Sequence, residues 1–216
     1  MSRLYVVRPV WAAVLLGVLS TGCMTTPKQK VVSGYPLPTA GHTQAASTYV
    51  YVVNGLDPVH LAKLPGLVEH LRTSGYPNTR FAELTDVVKI EDDIHQLHES
   101  HPRARFALIG YSLGAPVVRN SAVRLLRAGV PIVLVGYIGG DYLSDTTRTQ
   151  IGGVCRVVNI MGDGHLLTGR NYLFNGTDIS GAVNLRLAGT RHFNLPEHPR
   201  TLATLVSSLN AATRGF

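Results

Sequence analysis

The chain has 216 residues, 45% of them hydrophobic and 15% charged, enough for the core of one ordinary domain and hard to divide between two. Its 20 Lys and Arg against 13 Asp and Glu give a formal net charge of +7. No dense basic run with interleaved aromatics appears, so composition excludes a dedicated nucleic-acid-binding protein.

At the amino terminus, Arg3 and Arg8 precede an apolar run from Val10 to Leu19, then Ser20, Thr21, Gly22 and Cys23. This is the layout of a secretory signal peptide, and the run falls short of the about 20 apolar residues of a spanning helix. Without those two arginines, 18 basic residues stand against 13 acidic ones, a balance of +5. Leu19 to Cys23 also resembles a bacterial lipobox, with the leucine four places before the cysteine instead of three. The resemblance implies removal of residues 1–22 and lipidation of Cys23, which would hold a soluble domain at a membrane face. Met24, where inner-membrane lipoproteins carry aspartate, implies an outer-membrane lipoprotein facing the periplasm; without lipidation the chain would be secreted. Cys155 is then the one thiol left, so no intramolecular disulfide can form.

Residues 23–46 are rich in Thr, Pro, Gly, Lys and Gln, lack apolar periodicity and suit a flexible tether. The domain proper is expected over 47–216. Thr48 to Val53 reads as a strand ending at Asn54 and Gly55. Leu61, Leu64, Leu67, Val68 and Leu71 give a helical stripe that stops near Gly75. Thr79 to Leu84 is the next strand, and Ile90, Ile94 and Leu97 mark the helix after it. Arg105 to Ile109 is a short, continuously apolar strand of the kind buried on both faces. A helix from Ala115 to Ala128 stops at Gly129, and Pro131 to Tyr137, Val154 to Met161 and Val183 to Leu187 supply three further strands. A helix over Pro199 to Ala211 closes the chain. Strands spaced by helices imply right-handed crossovers and a three-layer α/β/α sandwich with a mainly parallel sheet of about six strands.

Between the buried strand and the following helix stands Gly110, Tyr111, Ser112, Leu113, Gly114, a Gly-x-Ser-x-Gly motif in strand-to-helix context. A serine hydroxyl is a poor nucleophile until a base takes its proton, and the sharp turn presents it at the carboxyl edge of the sheet. Ser112 is the expected nucleophile. Asp163, past the end of the Val154 to Met161 strand, is the expected acid, with Asp141 as its rival. His192, between the last strand and the last helix, is the expected base, with His165 and His198 as alternatives. The acid would fix the imidazole tautomer and leave its other nitrogen to accept the serine proton. For the oxyanion, the Leu113 amide is one expected donor; the Gly55 or Leu56 amide, or the Asn54 side chain, is the other.

Order, spacing and strand context of Ser112, Asp163 and His192 resemble the α/β-hydrolase superfamily from about Thr48 onward. The size is similar to cutinases and small lipase-like or thioesterase-like members, although the fungal cutinase disulfides are missing and Asn54 and Gly55 replace the His-Gly pair of many esterases. The resemblance implies a carboxylic ester or thioester hydrolase acting through an acyl-enzyme without a cofactor. The segments Asp141–Gly153 and Gly164–Ala182 are too short for a large cap, so an open site taking short or accessible acyl groups is expected. An acyltransferase, or a non-catalytic envelope lipoprotein that kept the fold and serves as a binding module, are the other readings; fold alone does not separate them.

Three further features read as structural. His95, His98 and His101, with Asp92 and Asp93, fall on the polar side of their helix and suggest a solvated face, not a metal site. Cys155 is expected to be an inert core thiol. Asn175, Gly176, Thr177 matches a glycosylation sequon of little meaning in a bacterial lipoprotein. The oligomeric state is not legible.

Overall fold

The computed structural model describes residues 46–57, 59–140, 151–162 and 178–214. The signal peptide at 1–22, Cys23, nearly all of the tether at 23–46, Asp141, Asp163, His165 and the sequon at Asn175 lie outside the described residues, as do 141–150 and 163–177 of the two rim segments.

Among the described residues six parallel strands form one sheet. They are β1 (Thr48–Val53), β2 (Thr79–Ala82), β3 (Arg105–Tyr111), β4 (Ile132–Ile138), β5 (Arg156–Gly162) and β6 (Val183–Leu187), ordered β2-β1-β3-β4-β5-β6. The helices are α1 (Leu64–Thr73), α2 (Val87–Ser100), α3 (Gly114–Arg127) and α4 (Pro199–Arg214). β1, β3 and β4 are almost wholly buried and rich in β-branched and aromatic residues, because helices cover both faces of the sheet.

Side-chain alternation sends β1 to two cores. Val50 and Val52 pack with Leu67 and Leu71 of α1 and Leu205 and Leu209 of α4. Tyr49, Tyr51 and Val53 pack with Ile90 and Ile94 of α2 and Val118 and Leu125 of α3. β4 carries one extra residue opposite Phe106 and Ala107 of β3, so its successive residues Val133 and Leu134 share the first core, as expected at a bulge. On the edge strand β6 the pattern relaxes to alternation, Leu185 and Leu187 in, Asn184 and Arg186 out. Helices α1 and α3 end in paired bonds, Gly75 N–H to Arg72 O with Tyr76 N–H to Leu71 O, and Gly129 N–H to Leu126 O with Val130 N–H to Leu125 O. Both glycines are left-handed, φ 102° and 82°, the usual way such a terminus closes.

Four local expectations are corrected. Leu61 precedes α1 and is exposed: the Asp57 carboxylate accepts the Leu61 and Ala62 amides at 2.9 and 2.8 Å, and left-handed Lys63 (φ 49°) turns the chain just before the helix. Cys155 is exposed, not a core thiol, because β5 begins one residue later, at Arg156. Asp93 accepts hydrogen bonds from Tyr51 Oη at 2.5 Å and from Arg80 Nη1, so it anchors α2 to the sheet instead of belonging to a solvated face. The β2 strand also stops early, at Ala82, where Leu84–Asp86 forms a 3₁₀ turn capped by Glu83.

From β1 the chain crosses outward to β2 and returns to β3 on the other side of β1. The carboxyl ends of β1 and β3 therefore flank the point where strand order reverses, where an open parallel sheet leaves a crevice for ligands.

Candidate active site

Ser112 is the first residue after β3 and has φ 52°, a left-handed conformation that costs a non-glycine residue about 1–2 kcal/mol and needs the surroundings to hold it. They do: the Ser112 amide donates to Ile138 O at 2.9 Å, and its carbonyl accepts the Ala115 amide at 3.0 Å to start α3. The flanking glycines are required by contact. A Cβ on Gly110 would lie 2.4 Å from Gly114 O, and one on Gly114 would lie 2.5 Å from Val53 O. The turn is thus folded against its own helix and against the end of β1. Ser112 itself is buried, at the amino terminus of α3, where the helix dipole favours developing negative charge.

The loop after β1 reaches the same place. A Cβ on Gly55 would stand 2.8 Å from Ser112 Cβ and 2.9 Å from the Leu113 amide nitrogen. The Gly55 amide donates to Asn54 Oδ1 at 2.9 Å, while Asn54 Nδ2 donates to Glu83 Oε2 at 3.0 Å and to Asp57 O at 3.4 Å. The buried Asp57 carboxylate then ties the loop's far side to Leu61 and Ala62. Of the expected oxyanion donors, the Gly55 amide is therefore engaged by Asn54 Oδ1, and the Asn54 side chain by Glu83 and the Asp57 carbonyl. The amides of Leu113 and Leu56 have no acceptor among the described residues.

His192 opens a 3₁₀ turn, His192–Asn194, and is buried. Its ring stacks on Tyr111, the residue before Ser112, with centroids 4.8 Å apart and planes 27° apart, and meets Phe193 edge-on at 5.7 Å. Its other neighbour is Gly139, whose built Cβ would lie 2.7 Å from His192 Nδ1. Because Ser112 hangs from Ile138 and the ring lies against Gly139, β4 delivers both groups to one place on the sheet edge. Burial, and secondarily the Asp57 carboxylate, pushes the Tyr111 phenol far above its usual range, so it stays neutral; its hydroxyl donates weakly to His192 O at 3.5 Å.

Of the alternatives, His198 is elsewhere: its Nδ1 accepts the Arg200 amide at 3.2 Å at the start of α4. Asp163, Asp141 and His165 lie outside the described residues. No group of three or more His, Cys, Asp or Glu among the described residues could hold a metal ion. Tyr111, Gly139 and Asp57 were not singled out by sequence reasoning. Asp57 carried a signal, an acidic residue before Pro58 at a strand end, which favours turn initiation; the roles of Tyr111 and Gly139 arise only from tertiary contact.

No family model and no curated protein matches the chain. Solved structures do. A CIB-like hydrolase from Thermoplasma acidophilum superposes with TM-score 0.52 at 11% identity, over 79% of this chain and 89% of its own. An α/β serine hydrolase without a lid from Xanthomonas campestris gives TM-score 0.52 at 14% identity over 82% and 85%. The RedJ thioesterase of the prodiginine pathway in Streptomyces coelicolor gives 0.50 at 16% over 81% and 97%. With the six-stranded parallel sheet and the strand-to-helix turn at Ser112, these likenesses identify the architecture: the chain has the α/β-hydrolase fold.

Proposed function

We propose that the chain is a serine hydrolase that cleaves carboxylic ester or thioester bonds through an acyl-enzyme on Ser112. The observation that carries this reading is a serine held left-handed at a helix amino terminus, with a buried imidazole delivered to the same strand end. His192 takes the Ser112 proton as Oγ attacks the acyl carbon, and the carbonyl becomes an oxyanion received by the Leu113 and Leu56 amides. As the tetrahedral intermediate collapses, His192 passes the proton to the departing alcohol or thiol. Water then repeats the sequence on the acyl-enzyme, releasing the acid and freeing Ser112. Asp163 is proposed as the acid behind His192. It follows Gly162, where a Cβ would meet Thr190 O at 2.5 Å, two residues before the histidine. No cofactor takes part in this scheme. A thioesterase and a lidless serine hydrolase among the similar structures support the substrate class.

The amino-terminal sequence extends the proposal to a lipid-anchored enzyme, held through Cys23 at the periplasmic face of the outer membrane. A fluorophosphonate probe tests the chemistry: wild type should label and Ser112→Ala should not, while folded wild type that resists labelling would favour the non-catalytic reading.

A further inference from the structure

Among the described residues the large hydrophobic side chains that stand exposed are Leu56, Val59, Leu61 and Val88, between 52% and 72% accessible. Single exposed aliphatics are ordinary on a protein surface; their concentration here is not. Three fall within six residues of the β1–α1 loop, and the fourth lies in the first turn of α2, after β2. All are at the carboxyl edge of the sheet, where Ser112 turns. His60 ties the loop to β2 and its exit, which leads into α2: its ring is 3.9 Å from Glu83 Oε1 and edge-on to Phe81.

The loop is built, not frayed. The Asp57 carboxylate is buried and accepts two amides, the backbone closes turns from Asp57 O to His60 and from His60 O to Lys63, and His60 and Lys63 are both left-handed, φ 54° and 49°. Strain of that kind persists only where the surroundings over-determine it, and it clusters at functional segments. Here it orders a loop whose aliphatic side chains make little contact with the folded domain.

The occupant follows from composition. Protein interfaces are anchored by Trp, Tyr, Arg and Met, with Leu and Val under-represented among the residues that carry affinity; the exposed large apolar side chains of this patch are Leu and Val alone. Neighbouring cations are paired, Lys63 with Glu197 at 3.6 Å and Lys89 with Asp86 at 2.9 Å, so the rim presents little net charge. We infer that the β1–α1 loop and the first turn of α2 form a surface that docks on a lipid bilayer, burying Val59, Leu61 and Val88 in the hydrocarbon boundary and turning the Ser112 edge toward the membrane. Docking of this kind scales with buried apolar area and needs no anionic headgroup. It goes beyond the proposed chemistry and does not depend on it.

Trp11 is the sole tryptophan of the chain, so full-length protein carrying Trp11→Phe and Val59→Trp reports from the loop alone. Vesicles of phosphatidylcholine with brominated acyl chains supply the quencher. The inference predicts a blue shift and at least twofold quenching for Val59→Trp. It predicts neither for Arg103→Trp, an exposed position before β3 at the opposite edge of the sheet. Adding Leu61→Ser and Val88→Ser to the Val59→Trp chain should abolish the quenching. Equal quenching at both positions, quenching at neither, or a concentration-dependent blue shift without vesicles, which marks a second copy as the occupant, overturns it. Turnover of a water-soluble short ester by the Val59→Ser, Leu61→Ser, Val88→Ser variant should equal wild type. Quenching in a protein that turns over no ester would leave the docking surface standing and remove the hydrolase reading; turnover without quenching would do the reverse.

Discussion

Replacing Gly139 with alanine tests whether the His192 ring works where it lies. The added Cβ would sit 2.7 Å from Nδ1, 2.8 Å from Cε1 and 2.9 Å from Leu195 Cδ1. Ordinary contact begins near 3.4 Å, so the ring must retreat by roughly 0.7–1 Å, and Tyr111, stacked on one face of the ring, blocks movement toward that side. A misplacement of about 1 Å in a catalytic group can cost on the order of 100-fold in rate, or about 2.7 kcal/mol. Gly139 is also left-handed, φ 55°, so alanine adds about 1–2 kcal/mol of backbone strain, or roughly 2–8 °C in Tm for a domain of this size. Gly129→Ala separates the two effects. Its φ is 82° and nothing lies within 4 Å of the new Cβ, so it should lose stability alone. The assay is steady-state turnover of a soluble ester beside a thermal melt. Gly139→Ala should lower kcat about 100-fold with KM little changed, and Gly129→Ala should keep kcat; a Gly139→Ala enzyme with wild-type kcat refutes the placement of the base.

Other expectations concern the acid, the loop, the core and pH. Asp163→Asn should lower kcat by about 10⁴-fold and Asp141→Asn by far less; the reverse order in the same ester assay would move the acid one strand earlier. Asp57→Asn leaves one of the two amides, of Leu61 or buried Ala62, without a carboxylate oxygen, so denaturant unfolding should show a loss of about 1–3 kcal/mol. Leu205→Ala empties a fully buried site beneath Gly136 and should cost about 2–5 kcal/mol by the same measurement. The Glu91 carboxyl is held below its usual range, chiefly by its hydrogen bond from Arg124, with oxygens 2.5 and 3.0 Å from the guanidinium. A carboxyl depressed in the folded state stabilises above its unfolded pKa and ceases to as pH falls through the folded value. The stability gap between wild type and Glu91→Gln should therefore be full at neutral pH and close in acid; a gap independent of pH would contradict that assignment.

Much of the sheet was legible because apolar pattern and β-branched runs are local signals. β1 begins and ends where its β-rich run and the turn residues Asn54 and Gly55 place it, and β6 where alternation does; Gly75 and Gly129 mark helix ends because only glycine takes φ near 100° there cheaply. What failed locally did so through contacts distant in sequence or through turn chemistry. Leu61 fits the α1 stripe by spacing, yet Asp57 captures its amide and the helix starts three residues later. Asp93 has the polarity of a solvent face, but Tyr51 and Arg80 reach it from the sheet. Cys155 sits one residue outside β5, whose pairing with β4 starts only at Arg156. At the site, the strained serine turn was legible from its glycines and its strand-to-helix setting. The Tyr111 stack and the Gly139 contact were not, since nothing near either residue in sequence points to His192.

The central claim is a covalent acyl-enzyme on Ser112. Acid quenching during turnover of an acetyl ester, followed by trypsin and mass spectrometry, should find one acetyl increment on the peptide from Phe106 to Arg119, absent from Ser112→Ala, which should also be inactive. Turnover with that peptide unmodified, or a Ser112→Ala protein that still hydrolyses the ester, would contradict it.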